Sequence, residues 1–205
     1  MKKILDVTCG SRTIWFNKSH PAAVYCDKRR ETYTNVWKNE NGKAERECVI
    51  APDVVCDFTD LPFDDNAFSL VVFDPPHLLK AKETAWLVKK YSKLDENWPR
   101  MIRDGFQECM RVLKPDGVLI FKWSEYDIPA KKVWAAIGQR PLFGHHSGKK
   151  SKTFWACFMK GVERWLKLDP YLSEQRRTLW PHITGTTGHQ LAASFVSAYM
   201  RATFS

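Results

Sequence analysis

A length of 205 residues favours one domain with at most a small appendage, and 44% hydrophobic and 27% charged residues suffice for a sizeable core under a soluble surface. No segment approaches the roughly 20 apolar residues that a bilayer span needs, and Met1-Lys2-Lys3-Ile4-Leu5-Asp6 is too short and too soon acidic for a signal peptide, so a cytoplasmic protein without a membrane partner is expected. The net charge of +9 favours a polyanionic partner, DNA or RNA, while six cysteines scattered without a CxxC pair read as reduced and mostly buried, not as disulfides or a zinc site.

Lys3–Thr8 is a short apolar run ending in Cys9-Gly10-Ser11, which predicts a buried strand and a turn. Ala22–Asp27 is a second strand, reached by a connection long enough for one short helix. Arg29–Arg46 is polar and mixed and is expected to be a helix fraying into a surface loop. Asp53–Asp57 is a third strand, and Phe68–Asp74 the clearest buried one. Leu78–Pro99 is long for a connection, and its lysines (Lys80, Lys82, Lys89, Lys90, Lys93) interleave with Trp86, Tyr91 and Trp98. Arg100–Leu113 has helical spacing and is broken by Lys114-Pro115-Asp116-Gly117. Val118–Trp123 is a fifth strand and Ile128–Ile137 a helix. Pro141–Gly144 and Thr153–Met159 are the last two strands, and the short loop His145–Lys152 makes them antiparallel. This alternation predicts an α/β fold: a seven-stranded, mostly parallel sheet with helices on both faces over residues 1–160. Residues 161–205 are read as a helical extension packed on that core, with an apolar stripe over His189–Ala202 that suits either a monomer or a dimer contact.

Acids stand at four strand ends: Asp6, Asp27, Asp57 and Asp74. In an open α/β sheet, ligands bind outside the carboxyl ends of the strands. Asp27 lies 21 residues beyond Asp6, the spacing at which an acid reaches ribose hydroxyls. The first turn, Asp6-Val7-Thr8-Cys9-Gly10-Ser11, holds one glycine. That disfavours a dinucleotide, whose pyrophosphate needs close backbone approach, and permits a nucleoside with a small zwitterionic tail. Asp74-Pro75-Pro76-His77 follows the most apolar strand. Its two prolines stiffen the backbone, so the Asp74 carboxylate and the Pro75 carbonyl become two acceptors suited to the hydrogens of an exocyclic amino group. From Ile128 to Val162 there are seven lysines or arginines and no acid; within this run Lys149, Lys150 and Lys152 suit phosphate contacts. The paired histidines His145 and His146 have no cysteine or acid near them in sequence, and no metal is expected.

Asp6–Lys160 resembles a class I, Rossmann-like methyltransferase that uses S-adenosylmethionine (AdoMet). Within that group it is similar to the amino-methyltransferases that carry Asp/Asn-Pro-Pro followed by an aromatic residue. The residues that match are Ile4–Gly10, Val24–Asp27, Cys56-Asp57-Phe58, Leu61–Phe68 and Asp74–His77. The resemblance implies AdoMet as cofactor: Asp6, Thr8, Cys9 and the Gly10 turn pass under its methionine part, Asp27 holds the ribose, and Asp57 and Phe58 hold the adenine. It also implies that Asp74 with Pro75 and Pro76 holds the target amine beside the methyl group, with His77 standing where the family has an aromatic ring that stacks on a displaced base. Lys80 and the 149–152 lysines would then touch the nucleic acid. The expected activity is transfer of methyl to an exocyclic amine of a nucleic-acid base, adenine N6 foremost, in the style of the small phage and prophage enzymes. Methylation of a protein glutamine and a catalytically silent binding module are the alternatives.

Overall fold

The computed structural model describes residues 2–39, 42–82, 84–148 and 151–161. Seven strands form the main sheet: β1 (Ile4–Asp6), β2 (Ala23–Asp27), β5 (Val54–Val55), β6 (Phe68–Phe73), β7 (Leu113–Ser124), β8 (Phe143–His146) and β9 (Thr153–Met159). Their order is β5-β2-β1-β6-β7-β9-β8. The pairs from β5 to β7 are parallel, and β9 runs antiparallel to both β7 and β8. This is the doubly wound arrangement, in which the chain leaves β1 first to one side and later to the other.

Residue chemistry explains the sheet. Alternate residues of β7, namely Leu119, Phe121 and Trp123, are fully buried, and Phe73 of β6 and Phe158 of β9 join them. The helix α2 (Trp98–Val112) lays Ile102, Phe106, Cys109 and Met110 on this face, and α3 (Ala130–Ile137) packs against α2. Gly105 of α2 is needed for that approach: a Cβ there would run into the rings of Phe58 and Phe73. On the other face Ala23 and Tyr25 gather with Cys9, Ile4 and Trp15 into a second, smaller cluster.

Several expectations need correction. The 29–46 segment is not a fraying helix but a two-stranded antiparallel ribbon, β3 (Glu31–Asn39) and β4 (Gly42–Ile50), in register from Glu31↔Ile50 to Asn39↔Gly42. Its first strand is rich in Thr, Tyr, Val and Trp, which suit a pleated surface, and the end of β4 alternates, with Cys48 and Ile50 buried and Val49 exposed. The connection between β1 and β2 holds no helix. Side chains pin it instead: Arg12 lies 3.8 Å from the Tyr25 ring centre and donates to the carbonyls of Lys18 and Ala51, while Trp15 packs edge-on against Tyr25 at 5.0 Å. The Leu78–Pro99 connection contains a short helix, α1 (Trp86–Tyr91), and β8 lies two residues beyond its expected place. The 189–202 helix, and the extension from 162 onward, lie outside the described residues. Among the described residues no helix is long and apolar enough to cross a membrane.

Candidate active site

Because β2, β1, β6 and β7 are parallel neighbours, their carboxyl ends share one rim. Strand order becomes residue order along it: Asp27, Asp6 with Thr8, Asp74, Lys122, and finally the start of β9. The chain's reversal of direction falls between β1 and β6, where a ligand crevice is expected. A narrow cleft opens there. The Val7–Ser11 turn, Asp27–Arg29, Phe58, Asp74, Pro76 and the Lys90–Ser92 end of α1 line it.

Gly10 makes the turn with φ +49°, a left-handed conformation that favours glycine. Its N–H donates to Asp27 Oδ2 at 3.1 Å, tying the end of β1 to the end of β2. Asp27 also receives the Arg29 backbone N–H at 3.0 Å and the guanidinium at 3.1 Å, and Arg29 Nη1 donates to the Lys89 carbonyl of α1 at 2.9 Å. Arg29 therefore stands between the expected ribose acceptor and the helix that roofs the cleft. The sequence reading missed it, because its role depends on α1, 60 residues away.

Asp6 is fully buried. Its carboxylate accepts from Trp15 Nε1 at 2.7 Å and from the Thr8 N–H at 3.2 Å. Burial nonetheless pushes its pKa up to about 7, and the nearby charges of Asp74 and Asp27 add to the rise. The Thr8 hydroxyl accepts the Asp74 N–H at 2.9 Å, joining the ends of β1 and β6. The Cys9 thiol is buried and pushed up to about 12, so it stays protonated. Phe58 is buried and lines the cleft. Asp57 is absent from the cleft lining; its Oδ1 accepts the N–H and hydroxyl of Thr59, so it caps its own turn.

At the far end of the cleft, Asp74 accepts a hydrogen bond at 2.5 Å from Lys122 Nζ. Burial raises the Asp74 carboxyl, and the Lys122 charge opposes that rise. The His77 ring faces Tyr91 at 5.8 Å and Trp123 at 6.4 Å. Burial holds its pKa below the usual imidazole value, and the Asp74 charge works the other way. The segment after the prolines is held in place by Asp127, which accepts the backbone N–H groups of Leu79 at 2.7 Å and Lys80 at 3.1 Å. The Lys80 side chain is exposed. The connection after β8 leaves from the same rim, since β8 runs with β7. Lys152 lies there 4.9 Å from the Tyr126 ring centre, whereas Lys149 and Lys150 fall outside the described residues. Lys122 is the other residue that sequence reasoning missed. Its signal was one lysine alternating in phase with Val118 and Ile120, in a strand otherwise apolar from Val118 to Trp123.

The cleft suits AdoMet chemically. Phe58 offers a flat apolar wall for adenine, Asp27 an acceptor for a ribose diol, and the Gly10 turn a polar end for an amino-acid tail, whereas Asp6, fully buried, is absent from the lining. Among the described residues no cluster of three His, Cys, Asp or Glu could hold a metal ion.

No family model matches the chain, and no curated protein does. Among solved structures it is similar to the PH0226 protein from Pyrococcus horikoshii OT3, 14% identical over 77% of this chain and 81% of that one, with a TM-score of 0.48. It is also similar to the N-methyltransferase NodS from Bradyrhizobium japonicum WM9 in complex with S-adenosyl-l-homocysteine, 13% identical over 78% of each chain, TM-score 0.46. A SAM-dependent methyltransferase from Methanosarcina mazei is 14% identical over 78% of this chain and 93% of its own, TM-score 0.44. Likeness of this degree says nothing of activity or substrate.

Proposed function

We propose that this chain transfers a methyl group from AdoMet to an exocyclic amino nitrogen of a nucleic-acid base, adenine N6 foremost. The observation that carries the reading is the position of Asp74-Pro75-Pro76-His77. A stiffened carboxylate-bearing turn ends β6 at the sheet's reversal point, and Asp74 and Pro76 line the same cleft as Phe58, Gly10 and Asp27. The cofactor cleft and an amine acceptor thus share a wall. The net charge of +9 supports a polyanionic substrate.

The cofactor brings the activation, because its sulfonium makes the methyl group electrophilic. The chain's own residues supply position and charge. Thr8 fixes the Asp74 backbone, and the Lys122 charge opposes the rise that burial imposes on its carboxyl. In its ionised form the carboxylate accepts an amino hydrogen, orients the nitrogen lone pair, and stabilises positive charge as it grows there. Holding acceptor and donor in line is a proximity effect worth up to roughly 7–11 kcal/mol. The proton leaves to water after transfer.

The test is incubation with methyl-labelled AdoMet and separate DNA, RNA and protein pools, followed by digestion to nucleosides. Label in a nucleic-acid pool, recovered as a base methylated on its amino nitrogen, is the expected result. Label confined to protein, or recovered on a ring carbon or ribose oxygen, contradicts the reading.

A further inference from the structure

We propose that Lys122 is a specificity residue of this site: its ammonium, fixed beside Asp74, selects a neutral amine flanked by a hydrogen-bond acceptor, as on the edge of a nucleobase, and rejects alkylammonium groups. The inference rests on the reading of the site as an amino-methyltransferase.

The sheet sets this placement. Phe73 of β6 pairs with Phe121 of β7 in parallel register, so the next residues, Asp74 and Lys122, leave the two strands side by side. Leu119, Phe121 and Trp123 point into the core, which sends Lys122 to the opposite face. There its Nζ meets Asp74 Oδ2 at 2.5 Å, and the two side chains are only 18% and 14% exposed. The Trp155 ring centre lies 5.7 Å from the same Nζ and bounds the group on the β9 side. Among the described residues Asp74 Oδ1 accepts no hydrogen bond, so one carboxylate oxygen is committed to Lys122 and the other is open.

Chemistry follows from that division. An ammonium carries three donors and no acceptor, and Asp74 uses one of them. A substrate amine that donates to Oδ1 comes to lie beside the remaining Lys122 N–H groups. Those groups need an acceptor beside the amine, and a ring nitrogen on an edge that carries the amino group, N1 or N7 of adenine, supplies one. The pair Asp74–Lys122 then reads a donor–acceptor edge in two bonds, one accepted and one donated. An alkylammonium offers no such acceptor. It also brings a second cation to a carboxylate that already holds one, in a site where like charges are poorly screened. Lys122 has a further effect on Asp74: its charge opposes the rise that burial imposes on the carboxyl, which favours the form that accepts at Oδ1.

The test measures initial rates of label transfer with the full chain. Substrates are a single-stranded oligonucleotide containing one adenine, the same strand with 1-deazaadenine or with 7-deazaadenine at that position, and ethylamine as an alkylamine. On the wild type, transfer to one of the two deaza strands should fall by about tenfold or more, the scale of one lost hydrogen bond to a charged group, and ethylamine should be unmethylated. Lys122→Met should lose a similar factor on adenine and show no further loss on that deaza strand, while Lys122→Arg keeps part of the discrimination. Calorimetry with S-adenosylhomocysteine should give both variants an affinity within a few-fold of wild type, which also shows that they fold. The inference is overturned if the wild type treats adenine and both deaza strands alike, or if Lys122→Met preserves the wild-type ratio between them. Transfer to no substrate by the wild type removes the amino-methyltransferase reading, and this inference with it.

Discussion

Asp6 accepts hydrogen bonds from Trp15 and Thr8, yet its carboxyl titrates near neutrality, because burial outweighs both. Its folded pKa of about 7 exceeds the unfolded value of 3.8, so between the two the native state holds a proton that the unfolded chain releases. The associated stability is fully present below the unfolded value and is lost as pH rises through the folded one. Asp6→Asn keeps the shape and cannot titrate. Unfolding in denaturant at pH 5 and pH 8 should therefore show the variant gaining about 2–3 kcal/mol relative to wild type, at about 1.4 kcal/mol per pKa unit. A difference that does not change with pH contradicts this account of Asp6. Asp27 makes a second test. Its bonds to Gly10 and Arg29 place it at the cleft wall, and Asp27→Ala should weaken AdoMet binding by about 1.5–3 kcal/mol in calorimetry, the scale of hydrogen bonds to a charged group. Unchanged affinity would assign the ribose to another residue.

Elements differ in how far their own residues declare them. Phe68–Phe73 and the α2 stripe of Ile102, Phe106 and Met110 are legible because a local apolar pattern is itself the cause of burial. The β3–β4 ribbon is not legible as a polar segment, because its order comes from pairing between strands up to 19 residues apart at Glu31↔Ile50. The β1–β2 connection is long enough for a short helix, but Arg12 and Trp15 are spent on Tyr25 instead and pin it without one. That Asp74 and Gly10 line the cleft was readable because motif and strand end coincide. Lys122 and Arg29 were not, since each takes its meaning from a partner on another element. Packing of α2 also reaches the site. Gly105 admits the Phe58 ring, which lines the cleft, so Gly105→Ala should lower the melting temperature and also weaken AdoMet binding. Loss of stability with an intact affinity would show that the Phe58 wall tolerates the shift.

At the scale of the whole molecule, sheet order turns scattered sequence positions into a single rim. Asp27, Asp6, Asp74 and Lys122 lie up to 116 residues apart in the chain and stand on neighbouring strands at one rim. The connection between β8 and β9 leaves from that rim. If Lys149, Lys150 and Lys152 grip phosphates, replacing all three with alanine should flatten the slope of log affinity against log salt by about 2–3 units on duplex DNA, with AdoMet affinity unchanged. An unchanged slope returns the substrate surface to the 78–99 segment. The central claim is that Asp74 holds the methyl-accepting amine while its neighbours hold the cofactor. It is tested most directly by measuring label transfer to nucleic acid and S-adenosylhomocysteine affinity side by side for wild type and Asp74→Ala. The account predicts that transfer falls by about 10²-fold or more while affinity stays within a few-fold; equal loss of both, or transfer that survives, would contradict it.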